Sequence, residues 1–280
     1  MQKEDFMNKQ SINLACSLAL LGSLQSDGNT IIPLWDQSIP GTVSNKPEMI
    51  DSHTEGDNRR FYHVSKPTLT LYLCSDTEPH PFVIICPGGG YRFLSFDKEG
   101  IEIAEWFNKL GISAGILKYR TPNNRTGALH DANRALEWTR TNAIELNIDP
   151  ARIGMIGFSA GAHLTAMAAQ MEPKQNFSMM IYPAYLYQPK SFTLVKSIIV
   201  NGDTPPAFIA QAQDDKRYYR SALAYALALD EAGVSTELHL HARGGHGYGL
   251  RDLGSPANQW PALCEAWLRD QNIISSSDKR

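Results

Sequence analysis

Short, densely apolar runs alternate along the chain with longer stretches in which apolar residues recur every three or four positions. The runs at 81–86, 112–119, 153–158, 177–182 and 207–211 have strand length and are rich in β-branched and aromatic residues. The clearest of them, 82–86, is unbroken in the way of a parallel strand covered on both faces. Runs at 61–64 and 68–73 come before this series and 236–241 closes it. The 68–73 run alternates, which predicts a half-exposed antiparallel edge. Between the runs, helical spacing predicts a helix over 100–110, with Ile101, Ala104, Phe107 and Leu110 on one face and Gly111 closing it. Further helices are predicted over 128–146 (Leu129, Ala132, Leu136 and Ile144 inward), from 159 to 170, over 218–232 up to Gly233, and over 259–269. Strands alternating with helices in this way imply an α/β fold, with a mostly parallel central sheet flanked by helices on both faces.

The pattern also divides the chain. Residues 27–60 are rich in Asp, Asn, Gly, Pro and Ser and read as irregular surface chain, with Trp35 and Pro40 packing on the core. Residues 61–272 read as a single domain, with no internal repeat, low-complexity tract or linker. The 184–204 segment looks irregular and is too short for a large cap domain. At the start, Lys3 and Lys9 precede an apolar stretch at 12–21, followed by Gly22, Ser23 and Ser26. That order predicts a signal peptide over 1–26 and a secreted or periplasmic protein; an ordinary N-terminal helix in a cytoplasmic protein is the alternative. The apolar centre is too short to span a bilayer.

Composition narrows the classes of function. With 26 Lys and Arg against 29 Asp and Glu, interspersed, the net charge is −3. Nothing forms a basic face for nucleic acid or a polybasic patch for a membrane, so neither partner is expected. Cys16, Cys74, Cys86 and Cys264 are scattered without a Cys-x-x-Cys pair, which predicts buried free thiols rather than a zinc site or a disulfide scaffold. No His, Asp or Glu cluster has metal-ligand spacing, and Gly88-Gly89-Gly90 lacks the Gly-Lys-Ser/Thr ending of a phosphate loop. No metal and no cofactor is expected.

The candidate chemistry sits at the ends of the apolar runs. The 153–158 run meets Gly157-Phe158-Ser159-Ala160-Gly161, and an alanine-rich helical stretch follows. That is a strand, a sharp turn and a helix, with a serine at the apex and free helix N–H groups beside it. Asp214 and Asp215 stand after the 207–211 run, and His246 stands in a glycine-rich loop after 236–241. In an open parallel sheet the carboxyl ends of the strands gather along one edge, so these residues are expected to meet there. Serine is a poor nucleophile near neutral pH, and a histidine can take its proton. A carboxylate on the far ring nitrogen fixes the tautomer and stabilises the imidazolium. Of the other histidines, His163 is expected to pack, and His130, His239 and His241 to be structural or solvent-facing. Asp131 is expected to anchor the start of a helix.

Gly157-Phe158-Ser159-Ala160-Gly161-Ala162-His163-Leu164, Cys86-Pro87-Gly88-Gly89-Gly90-Tyr91, Asp149-Pro150-Ala151-Arg152-Ile153-Gly154 and Gly244-Gly245-His246-Gly247 carry a resemblance. From about 67 to 268 the chain resembles α/β-hydrolase carbohydrate esterases of the acetylxylan esterase and bacterial feruloyl-esterase-like group. The resemblance implies an α/β-hydrolase fold, a nucleophile elbow at Ser159 and the chain order nucleophile, acid, histidine. It implies Asp215, the last acidic residue of its segment, as the acid, with Asp214 accepting local backbone hydrogen bonds in the turn. It also implies an oxyanion hole from the N–H groups of Gly89, Gly90 and Ala160, with Pro87 where relatives carry a histidine. Two positions depart from the pattern: Ala162 replaces a common glycine, and Lys216-Arg217-Tyr218 replaces a proline- and valine-rich turn after the acid. The implied reaction is acyl transfer from a small ester or acylated saccharide, acetyl on xylan foremost, with Tyr91, Phe93 and Tyr248 lining the crevice. A peptidase of the same fold and a non-catalytic binding protein are the rivals. The first usually needs an added gating domain; the second would lack the triad.

Overall fold

The structure, a computed structural model, describes residues 24–26, 29–36, 38–52, 58–75, 78–191 and 193–275. Most of the predicted signal segment, and Cys16, lie outside these residues. In chain order the strands are β1 (Leu24–Ser26), β2 (Asn29–Pro33), β3 (Met49–Asp51), β4 (Arg60–Tyr62), β5 (Thr68–Tyr72), β6 (His80–Cys86), β7 (Phe93–Ser95) and β8 (Ser113–Lys118). They continue with β9 (Ile148–Phe158), β10 (Phe177–Ile181), β11 (Tyr187–Gln188), β12 (Thr193–Leu194), β13 (Ala207–Ala212) and β14 (Thr236–His241). The helices are α1 (Glu102–Lys109), α2 (Arg125–Thr141), α3 (Ala160–Ala168), α4 (Tyr219–Glu231) and α5 (Trp260–Asp270).

Among the described residues, nine strands form one sheet in the order β1-β2-β5-β8-β6-β9-β10-β13-β14. From β8 to β14 every neighbour is parallel, and β5, β2 and β1 extend the β8 side antiparallel. Every residue of β6, β10 and β13 is buried, as their apolar runs require. Alternation along β6 sends Val83 and Ile85 to one face, where they pack with Ile103 and Phe107 of α1 and with Trp260 and Trp267 of α5. Phe82, Ile84 and Cys86 point to the other face, against Ala132 and Leu136 of α2 and Leu164 of α3. There α4 packs Ala222, Tyr225 and Leu229 over Met180 and Ile209. Helices therefore cover both faces, as expected. Cys74, Cys86 and Cys264 are free thiols, the last two buried.

Three expectations are corrected. Residues 27–60 are not wholly irregular: β1 and β2 belong to the main sheet, so the domain does not begin at 61. Ile32 and Leu34 are buried there, and β2 pairs with β5 over four residues, which makes β5 an inner strand rather than an edge. A second sheet, β3-β4-β7, also draws on this segment. The helix predicted over 128–146 runs instead from Arg125 to Thr141, because Asn124 caps it earlier, its Oδ1 accepting from Gly127 N at 2.9 Å. Since the helix stops at Thr141, Ile144 leaves the inward face and is 90% exposed. Among its described residues, segment 184–204 carries only the hairpin β11–β12 and no cap domain.

Trp35 and Pro40 do pack on the domain, through a buried ion pair. Arg120 and Asp131 are both fully buried, 2.9 Å apart. Trp35 Nε1 donates to Asp131 Oδ1 at 2.8 Å, and Arg120 Nη1 donates to the Pro40 carbonyl at 2.5 Å. Asp131 therefore does not start a helix. It lies mid-α2 and ties the N-terminal segment to the end of β8.

Candidate active site

The serine turn has the geometry its glycines predict. Ser159, between β9 and α3, has φ 52° and ψ −112°, a conformation that non-glycine residues adopt only under local constraint. A Cβ on Gly157 would lie 2.3 Å from the Gly161 carbonyl oxygen, and one on Gly161 would lie 1.9 Å from the Cys86 carbonyl oxygen. Strand, helix and the neighbouring strand end approach too closely for any side chain at either position.

Three side chains from separate strand ends meet at this turn. His246 Nε2 lies 2.7 Å from Ser159 Oγ, and His246 Nδ1 lies 2.6 Å from Asp215 Oδ2. The Asp215 side chain is 5% exposed and that of His246 30%. Asp214 does not reach the histidine, nor does it cap its own turn as expected. Its carboxylate accepts from Gly245 N at 2.8 Å and Gly244 N at 3.3 Å, holding the loop that carries His246. Tyr182 and Tyr218 pack on the imidazole with ring centroids 5.1 and 4.9 Å away.

The glycine loop after β6 borders the same space. Gly89 and Gly90 line a cavity of about 570 Å³ together with Ser159 and His246. Gly89 has φ 132°, and a Cβ there would fall 2.0 Å from the Phe93 carbonyl oxygen. Ala160 is the first residue of α3, where helix N–H groups lack intrahelical partners. The loop is tethered from behind by two residues the sequence reading missed. Tyr119 Oη donates to the Pro87 carbonyl at 2.6 Å, and Glu99 Oε2 accepts from Gly88 N at 2.8 Å. Glu99 is 4% exposed, and its other oxygen accepts from Tyr182 Oη at 2.8 Å. Burial, then the neighbouring Glu99, holds the Tyr182 phenol well above its ordinary range, so it donates. In turn it accepts from Gly249 N at 3.1 Å. Glu99 stands just before the helix predicted over 100–110, and no local pattern marks it.

Of the three aromatics expected in the crevice, only Phe93 lines it. Tyr91 and Tyr248 are core residues, 2% and 1% exposed. Tyr91 Oη lies 2.8 Å from His163 Nδ1. Burial pushes the phenol up, while burial, assisted by Arg125, lowers His163 to about 4. The pair is neutral, with the hydroxyl donating, and His163 packs as expected.

A pH effect on stability follows. Above about pH 6.5, the ordinary histidine value, His163 is neutral in both the folded and unfolded chain and contributes nothing. Below it the unfolded chain takes up a proton that the native site refuses, so stability falls as pH drops towards the folded value. The loss by pH 5 is about 2 kcal/mol. Urea unfolding at pH 7 and pH 5 should show a larger drop for the native chain than for His163→Gln. Equal drops would refute the assignment.

Comparison with known proteins bears on the fold and the family likeness. A family model described as BD-FAE matches residues 69–202. An acetylxylan esterase of Xylanibacter ruminicola is 30% identical over 230 residues, which is 67% of this chain and 47% of that protein. The chain thus spans about half the length of that curated relative. Among solved structures, an acetyl ester-xyloside bifunctional hydrolase from Caldicellulosiruptor lactoaceticus superposes with a TM-score of 0.71 at 28% identity. That match covers 88% of this chain and 97% of the other. An α/β hydrolase enzyme from a Medee basin deep-sea metagenome library gives 0.65 at 28% identity, covering 80% and 97%. With the elbow, the glycine loop and the sheet order already described, these likenesses mean that the chain belongs to the α/β hydrolases and is similar to carbohydrate esterases among them.

Proposed function

We propose that the protein is a serine esterase that removes short acyl groups, acetyl foremost, from saccharides such as xylan through an acyl-enzyme. The observation that carries this reading is the continuous hydrogen-bonded line Ser159–His246–Asp215, at 2.7 and 2.6 Å, opening onto the cavity that Ser159 and His246 line. In this reading Ser159 Oγ attacks the ester carbonyl while His246 Nε2 takes its proton. Asp215 accepts from the Nδ1 N–H and stabilises the imidazolium. The N–H groups of Ala160, Gly89 and Gly90 receive the negative charge that develops on the carbonyl oxygen. His246 then protonates the departing alcohol, and a water molecule repeats the sequence to release the acid. The likeness to an acetylxylan esterase and to an acetyl ester-xyloside hydrolase supports the choice of substrate.

The test is hydrolysis of p-nitrophenyl acetate and acetylated xylo-oligosaccharide against a peptide anilide. Cleavage of the esters alone is expected. Cleavage of the anilide at a comparable rate would favour a peptidase, and cleavage of none a binding protein. Gly89→Ala should lower kcat about a hundredfold, as for loss of an oxyanion donor. The added methyl collides with the Phe93 carbonyl and must displace the loop. Circular dichroism should stay native, and an unchanged kcat would remove Gly89 from the oxyanion site.

A further inference from the structure

The cavity in front of Ser159 is walled unlike one made for a neutral ester. Four cationic side chains line it, Arg60, Arg92, Lys98 and Arg217, against the single carboxylate of Glu99. That carboxylate is already engaged by Gly88 N and Tyr182 Oη. Four of the nearby acids are engaged elsewhere. Asp97 is paired with Arg59 at 2.7 Å, Glu102 with Arg251 at 2.6 Å, and Asp214 and Asp215 are committed to the histidine and its loop. None of the four lining cations is in an ion pair among the described residues. Positive charge gathered in a concave site draws anionic ligands.

Arg60 is the most built of the four. It comes from β4, its guanidinium carbon sits 4.8 Å from the Phe93 ring centroid, and its Nε is buried without a hydrogen-bond partner. A guanidinium lying on an aromatic face keeps its in-plane N–H groups free, the arrangement that grips a carboxylate by two parallel bonds. A buried donor left unpaired costs free energy unless a ligand or water supplies the acceptor. Lys98 stands on the histidine side, its Cγ against Gly249, while Arg92 and Arg217 are exposed at the mouth.

We propose that the ester this site accepts carries a carboxylate, bound by Arg60, with Lys98, Arg92 and Arg217 supplying attraction. The proposal rests on the esterase reading above and narrows its substrate to anionic esters. The carboxylate has two chemical sources, a uronate in the saccharide or a second carboxyl in the acyl group.

Two matched pairs separate them. The first is an acetylated xylo-oligosaccharide bearing a uronate, against the same compound with its carboxyl reduced to the alcohol. The second is 4-nitrophenyl hemiadipate against 4-nitrophenyl hexanoate. In one pair the anionic member should have the higher kcat/KM by about tenfold or more, as for one charge-assisted bond. The preference should shrink at about 0.5 M salt, where exposed charges are screened. Arg60→Gln should collapse the ratio within that pair, and Arg60→Lys should keep part of it. Preference in the first pair assigns the carboxylate to the sugar, and in the second to the acyl chain. Equal rates within both pairs, or no turnover of any of the four, overturn the proposal. Turnover of p-nitrophenyl acetate by the same preparation then leaves the esterase reading standing, and its absence removes that reading as well.

Discussion

Replacing Ser159 with alanine is expected to reduce kcat for p-nitrophenyl acetate about ten-thousandfold or more, with the fold intact. The size follows from how the three side chains act. On the proposed mechanism no acyl-enzyme forms without Oγ, and what survives is the stabilisation that the glycine loop and the helix N-terminus would give to direct attack by water. His246→Ala should cost a similar amount, because at 2.7 Å it is the only base within reach of the hydroxyl among the described residues. The double variant should be scarcely worse than either single one, as expected of groups that work as a unit. Steady-state rates with an active-site titration distinguish these outcomes. Additive losses, or a Ser159→Ala protein that still shows a burst of nitrophenol, would overturn the assignment. Asp215→Asn should fall less far, leaving the ring in place but favouring the wrong tautomer.

The second large effect is on stability. Asp131→Ala is expected to destabilise the chain by about 3–5 kcal/mol, measured by urea unfolding at pH 7. Arg120 is fully buried, and Asp131 answers it at its main-chain N at 3.0 Å and at Nε at 2.9 Å. Burial raises the Asp131 carboxyl, and the bonds from Arg120 and Trp35 offset that rise only in part. Removing the acid strands a buried guanidinium and frees Trp35 Nε1 together. Replacing both partners with apolar residues should cost less than removing the acid alone, since the desolvated charge then disappears as well. A loss under 1 kcal/mol for Asp131→Ala would mean that water reaches Arg120.

The elbow, the glycine loop and the histidine loop were legible because each is a short-range pattern. Gly157 and Gly161 are demanded by contacts that any such turn must make, and β6, β10 and β13 have no polar face to confuse their reading. The N-terminal strands were not legible for the opposite reason. β2 has only Ile31 and Ile32 between polar residues and Pro33, and its pairing with β5 is decided by tertiary contact. Ile144 kept the helical period of α2 while the backbone had already stopped. Arg60, Lys98 and Glu99 enter the cavity because β4, β7 and the wide turn at Asp97–Ile101 fold against the loop after β6. No spacing in the chain announces that.

Tyr182 stands between two loops that both border the cavity at Ser159. Its hydroxyl reaches Glu99, behind the glycine loop, and Gly249, behind the histidine. Acceptor and donor on one oxygen make the gap between electrophile cradle and proton carrier a single fixed length, set by a phenol that never touches the reacting ester. The outer walls of the cavity can therefore change freely, yet any exchange at 182 that drops the oxygen uncouples the two loops at once.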